Sequence, residues 1–146
     1  MTRRPAAILA ALTLAAGVAG CTPTADPAVT AALAYYQSVD AGTPEQCSMD
    51  WAYRLDPAKV VDCEKTSTEP VNALVGQPVV KRNVEMPVPP GGTAARALVL
   101  AVTLKNGAML DAVAMVQDDS GKWYFVKSES LPREPSSDAE LIGVLA

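Results

Sequence analysis

Three cysteines, one carboxylate inside an apolar run and a complete lack of histidine define the chemistry open to this chain of 146 residues. Without histidine there is no Ser-His-Asp or Cys-His arrangement and no imidazole metal ligand. No G-x-x-x-x-G-K or G-x-G-x-x-G run occurs, so nothing supports a phosphate cradle for a nucleotide. Asp118 and Asp119 fall in the turn "DDSG" and read as solvated turn residues; no metal ligands and no cofactor are assigned. Asp111 is the residue that breaks its surroundings, the single charge in "AMLDAVAMVQ". In an apolar pocket, desolvation would raise its pKa and suit it to act as a general base. A tyrosine donor beside it, from Tyr35, Tyr36, Tyr53 or Tyr124, would strengthen that role. Its position near the turn end of a strand favours a carboxylate that reaches solvent, and the chain is read as a non-enzyme.

The first cysteine has a different use. Arg3 and Arg4 precede an uncharged apolar stretch over residues 6–18, then the small residues Ala19 and Gly20. That is the layout of a secretory signal, and it is shorter than the about 20 residues of a membrane-spanning helix. Val18, Ala19, Gly20 and Cys21 together resemble the lipobox of bacterial lipoproteins. The resemblance implies a diacylglyceryl thioether on Cys21, cleavage before it, and a mature chain held by lipid on the outer face of the cytoplasmic membrane. Two acyl chains hold a protein stably where one does so only marginally. The chain from Cys21 keeps ten of the 12 basic residues against 16 acidic ones, a formal charge of −6. An acidic surface argues against nucleic acid and against attraction to anionic lipid, so the lipid must anchor.

Cys47 and Cys63 remain as an even pair in an oxidising compartment. A disulfide across that interval contributes about 3 kcal/mol in the chain-entropy model. A zinc or redox pair fits less well, because two thiolates do not complete a tetrahedral site and the spacing is far from C-x-x-C.

The elements that must position these residues follow from capping and periodicity. Residues 1–20 are set aside as signal and residues 21–26 as anchor and short tether, leaving an α+β domain over residues 27–130 and a tail over residues 131–146. Asp26-Pro27 starts a helix over residues 27–40, with Val29, Ala32, Leu33, Tyr36 and Val39 on one face. "TPEQ" starts a second helix that places Cys47, Trp51 and Leu55 on a shared buried face, and Asp56-Pro57 a third that returns Val60, Val61 and Cys63. The period then changes to alternation. "PVVKRNVEM" reads as an edge strand with Val80, Val84 and Met86 on one side, interrupted by Arg82.

"ARALVLAVTLK" and "AMLDAVAMVQ" flank an Asn106-Gly107 turn, the strongest hairpin signal in the chain. That turn pairs Leu104 with Met109, Val102 with Asp111, Leu100 with Val113 and Leu98 with Met115 on a bulky face. The opposite face is small, rich in alanine and valine, and both faces require cover. "KWYFVKS" forms the last strand, and Ser137 with Glu140 is a capping-box pattern for a short terminal helix docking Leu141, Ile142 and Leu145, with a frayed terminus as the alternative.

Helices followed by a four-stranded antiparallel meander ending in "DDSGKWYFVKS" look like the small lipoproteins and secreted antigens of actinobacteria, whose domains are nuclear transport factor 2-like or cystatin-like. The high alanine and proline content suits such a source. The resemblance implies N-terminal helices cradled by a curved sheet in a cone, a superfamily that includes isomerases using a carboxylate in the cone and many non-enzymatic binding domains. Tyr36, Trp51, Leu98, Leu100, Asp111, Met115, Trp123 and Phe125 are the candidate lining of such a cavity, with a simply packed core as the alternative. The expected function is a membrane-anchored, non-catalytic envelope lipoprotein that engages another protein or the cell wall. The alternative is a carrier of a small apolar ligand or lipid.

Overall fold

A computed structural model describes residues 25–66 and 69–146; the signal segment, Cys21 and all but the last residue of the tether "TPTA" lie outside the described residues. Among the described residues five α-helices and one four-stranded antiparallel sheet, in the order β1-β2-β3-β4, make an α+β architecture. Among the described residues no helix is long and apolar enough to cross a membrane. Among the described residues both faces of the sheet carry core clusters and the disulfide is closed.

Helix α1 (Pro27–Ala41) begins where Asp26 accepts the Ala28 N–H at 2.8 Å, satisfying a backbone donor that the helix cannot. It ends at Gly42, whose φ of +68° is the left-handed cap conformation. A Cβ on Gly42 would stand 2.5 Å from the Pro70 nitrogen, so glycine is also needed for the chain to pass. The expected second helix is divided. α2 (Glu45–Ser48) stops at Met49, and α3 (Trp51–Leu55) starts afresh with Asp50 accepting the Ala52 N–H. The break has a clear cause: the Met49 carbonyl accepts the Phe125 N–H at 2.8 Å, spending that backbone on the sheet edge. Cys47 and Trp51 are buried as expected, but Leu55 is 61% exposed because the face turns at the break. A single 3-10 turn (Pro57–Lys59) leads to α4 (Val60–Thr66), which brings Cys63 to Cys47 with Cα atoms 5.9 Å apart in a disulfide. Val61 stays exposed.

The strands are β1 (Val79–Glu85), β2 (Ala94–Leu104), β3 (Gly107–Gln117) and β4 (Trp123–Leu131). The β2–β3 faces are as read from the sequence, but the pairing is two residues out. Leu104 pairs with Gly107, Val102 with Met109, Leu100 with Asp111 and Leu98 with Val113, while Arg96 opposes Met115. The turn is centred on Lys105 and Asn106, neither of which adopts positive φ; that conformation falls on Gly107. The type I′ geometry expected of Asn-Gly is therefore absent. In β1 a bulge between Val80 and Arg82 switches the faces. Val80 packs on the bulky side, Val84 and Met86 on the small side, and Arg82 turns toward Asp138 at 3.6 Å.

Size complementarity covers both faces. Alanines 28 and 32 of α1 rest on the bulky face of Leu98, Leu100, Val102, Val113 and Met115. The small face of Ala97, Val99, Ala112 and Ala114 receives Leu141 and Leu145 of α5 (Asp138–Leu145), capped by Ser137 as expected. Trp51 also lies on the small side, with Ala95, Val116 and Tyr124. The helical segment thus wraps the β4 edge from one face of the sheet to the other.

Candidate functional site

The bulky face is not covered along its whole length. Where α1 ends and β2 and β3 run on toward their turn, an open hollow of about 460 Å³ remains, within the usual range for small-molecule pockets. Tyr35, Tyr36 and Val39 of α1 form one wall. Val102, Leu104 and Met109 of the hairpin, with Phe125 of β4, form the apolar base. Val71, Ala73 and Leu74, from the segment between α4 and β1, close the remaining side.

That segment is strapped to both partners. Asp40 carries a negative charge in the last turn of α1, the unfavourable end of the helix dipole. Its carboxylate oxygen Oδ1 accepts the N–H groups of Ala73 at 2.6 Å and Leu74 at 3.0 Å, and its carbonyl accepts those of Val71 and Asn72 at 2.9 Å. On the other side, Lys105 N–H donates to the Ala73 carbonyl and Val75 N–H to Thr103, with Leu74 bridging to Leu104. The sequence shows no alternation across residues 71–75, so periodicity could not find this wall.

Asp111 lies in the hollow and is 6% exposed. It is nearly buried at the floor of the hollow, where its position near the turn implied free exposure. The corrected register moves it onto Leu100, and Tyr36 closes over it. The Tyr36 hydroxyl donates to Asp111 Oδ2 at 2.6 Å, and Ser130 Oγ donates more weakly to Oδ1 at 3.3 Å. Burial, then the bond to Asp111 and the charge behind it, push the Tyr36 phenol well above the ordinary tyrosine range; Ser128 works the other way. Tyr35 stacks on Phe125 with ring centroids 3.9 Å apart and planes within 6°. Burial, helped by the charge of Asp50, pushes its phenol up to about 12. Both hydroxyls are thus neutral groups at physiological pH.

Of the residues expected to line a cavity, Tyr36, Asp111 and Phe125 do. Leu98, Leu100 and Met115 are wholly buried in one cluster with Ala28 and Ala32 of α1 and do not line this hollow. Trp51 is on the opposite face. Trp123 borders a separate hollow of about 490 Å³ near the start of α1, beside Lys122 and Met49.

Asp118 also departs from expectation. It is 4% exposed, not solvated, and its Oδ1 accepts the Ser120 hydroxyl at 2.6 Å and the N–H groups of Ser120 and Lys122. Its Oδ2 receives Tyr124 and Arg54. The Ser120 hydroxyl above all, then these backbone and Arg54 bonds, hold its pKa down to about 2 against a smaller opposing effect of burial. Among the described residues no group of three or more potential ligands gathers for a metal.

Against protein-family models, curated proteins and solved structures, the chain finds no match. The hollow's own chemistry has to carry the functional argument.

Proposed function

We propose that this chain is an extracytoplasmic, lipid-anchored binding domain that holds a small ligand in the hollow between α1 and the sheet, without catalytic work. The observation that carries the reading is the buried Asp111–Tyr36 pair set into an apolar hollow of about 460 Å³. Pockets of this kind take most of their affinity from apolar walls and their orientation from a few polar groups. Asp111 already accepts two hydroxyls and has no histidine to exchange protons with, which suits a fixed anchor better than a base. A helix lying on an antiparallel meander supports a nuclear transport factor 2-like or cystatin-like reading of the fold. The anchor rests on Cys21 and the residues before it, as argued from the sequence.

A second reading, docking to an envelope protein, draws on Val71, Val75 and Val79, which are 61%, 50% and 58% exposed along the approach to β1. Exposed apolar surface of this kind marks contact sites when it is contiguous.

Native mass spectrometry of residues 22–146 incubated with a lipid extract of the source cells separates the two. The binding reading expects a retained small-molecule mass. A bare protein at every lipid concentration leaves the interaction reading. In parallel, Cys21→Ser should move the protein from the membrane fraction to the soluble one, and retention in the membrane would refute the anchor.

A further inference from the structure

The charges around the hollow carry the argument one step further. Among the described residues two carboxylates border it, Asp40 and Asp111, and no lysine or arginine does. Two carboxylates among the described residues are nearly buried, Asp111 and Asp118, and their surroundings differ. Asp118 has Arg54 Nε at 3.4 Å, together with backbone and hydroxyl donors. Asp111 has two hydroxyl donors and, among the described residues, no cation within ion-pair distance. Buried charges in proteins are ordinarily paired, because hydroxyls alone replace only part of the lost hydration. A carboxylate offers about four acceptor positions, and protein hydroxyls take two of them here. The acceptor positions that no protein group takes belong to the same carboxylate that has no paired cation among the described residues, and that carboxylate lies in the hollow.

Resting on the binding role proposed above, we infer that the hollow selects a cationic amphiphile: an apolar body against Phe125, Met109 and Leu104, and an ammonium group on Asp111. The ammonium supplies charge-assisted hydrogen bonds to the remaining positions of the carboxylate. Asp40 adds a second negative charge at the wall, although its carboxylate is spent on Ala73 and Leu74. A fatty acid or a phosphate-headed lipid would bring its anion against two carboxylates with no basic side chain to receive it. This hollow therefore discriminates by headgroup charge, with chain length read by the apolar base.

Three probes of equal length test this on residues 22–146: octylamine, octan-1-ol and octanoate, titrated at neutral pH by calorimetry. The expected order is octylammonium tightest, at least about tenfold over octanoate, with octanol between. Asp111→Asn should bring octylammonium to the level of octanol, whereas Asp119→Asn, an exposed carboxylate remote from the hollow, should leave the order intact. Should Asp111→Asn fail to fold, the wild-type order still decides. Octanoate binding as tightly as octylammonium overturns the inference while leaving a ligand hollow in place. Failure of all three probes to bind overturns the hollow reading and the inference together. A preference for octylammonium that survives Asp111→Asn in a folded protein assigns the selectivity to general acidity and overturns the role of Asp111.

Discussion

The Tyr36 hydroxyl donates to Asp111 across 75 residues of sequence, at 2.6 Å, and so ties α1 to the middle of the sheet where this carboxylate is buried on its bulky face. The bond sits at the boundary between packed core and open hollow. Toward the start of α1, alanines pack on the sheet; beyond Tyr36, the hollow opens between the helix and the 71–74 segment. The same pair therefore serves stability and the binding site.

Tyr36→Phe removes the shorter of the two donors while keeping the ring. A buried carboxylate left short of a partner costs about 1–3 kcal/mol. Urea unfolding should show a loss in that range. A change within about 0.3 kcal/mol would mean that water already serves Asp111 as well as the phenol does.

Gly42→Ala attacks the hollow from outside it. The substitution puts a Cβ 2.5 Å from the Pro70 nitrogen and forces a φ of +68° on alanine. The expected cost exceeds about 1 kcal/mol. Because residues 71–74 hang from the end of α1, amide exchange at Ala73 and Leu74 should accelerate more than exchange in β2 and β3. Uniform acceleration would show that the strap is not a separate unit.

Replacing Cys47 and Cys63 together by alanine releases a loop of sequence separation 16. The chain-entropy model sets the loss at about 3 kcal/mol. Near-ultraviolet circular dichroism should lose the Trp51 signal first, since α3 is held between the disulfide-bonded helices and the small face. An unchanged midpoint would show that packing alone holds α2 to α4.

Acid should weaken the fold in a defined window. Asp118 and Glu140 both have pKa values held down to about 2, from ordinary values of 3.8 and 4.5. For Glu140 the causes are the Ser136 hydroxyl, the Ser136 N–H and Arg133, in that order. A carboxyl whose pKa is lower folded than unfolded adds stability above its unfolded pKa and loses it as pH falls toward the folded value. Urea midpoints should therefore be flat above about pH 5 and fall between about pH 4.5 and 2. Asp118→Asn should make that fall shallower. A midpoint independent of pH across the window would contradict the hydrogen-bond account of both residues.

Local signals in the sequence carried a long way. Asp26-Pro27 and Gly42 bound α1, Ser137 caps α5, and the alternation of β2 and β3 sorts a bulky face from a small one. What escaped was set by backbone conformation and by distant partners. The hairpin register depends on which residue takes positive φ, and Gly107 takes it alone, so every pair moves by two. Faces survive a shift of two, which is why the faces were legible when the partners were not. The break at Met49 is made by Phe125, and the face switch after Val80 by a bulge, neither of which has a local signature. Asp111 stood out as the odd charge, and tyrosine as its best partner, yet only the fold chose Tyr36 from four candidates.

Methionine methyl resonances report directly on whether a small amphiphile sits in the hollow beside Asp111. Met109 lines the hollow, Met49 borders the other hollow, Met86 packs on the small side and Met115 is sealed in the core. Titrating methyl-labelled residues 22–146 with octylamine should shift Met109 progressively while Met49, Met86 and Met115 move little. An unmoved Met109 while Met49 shifts, or while calorimetry records binding, would place the ligand elsewhere and contradict the account.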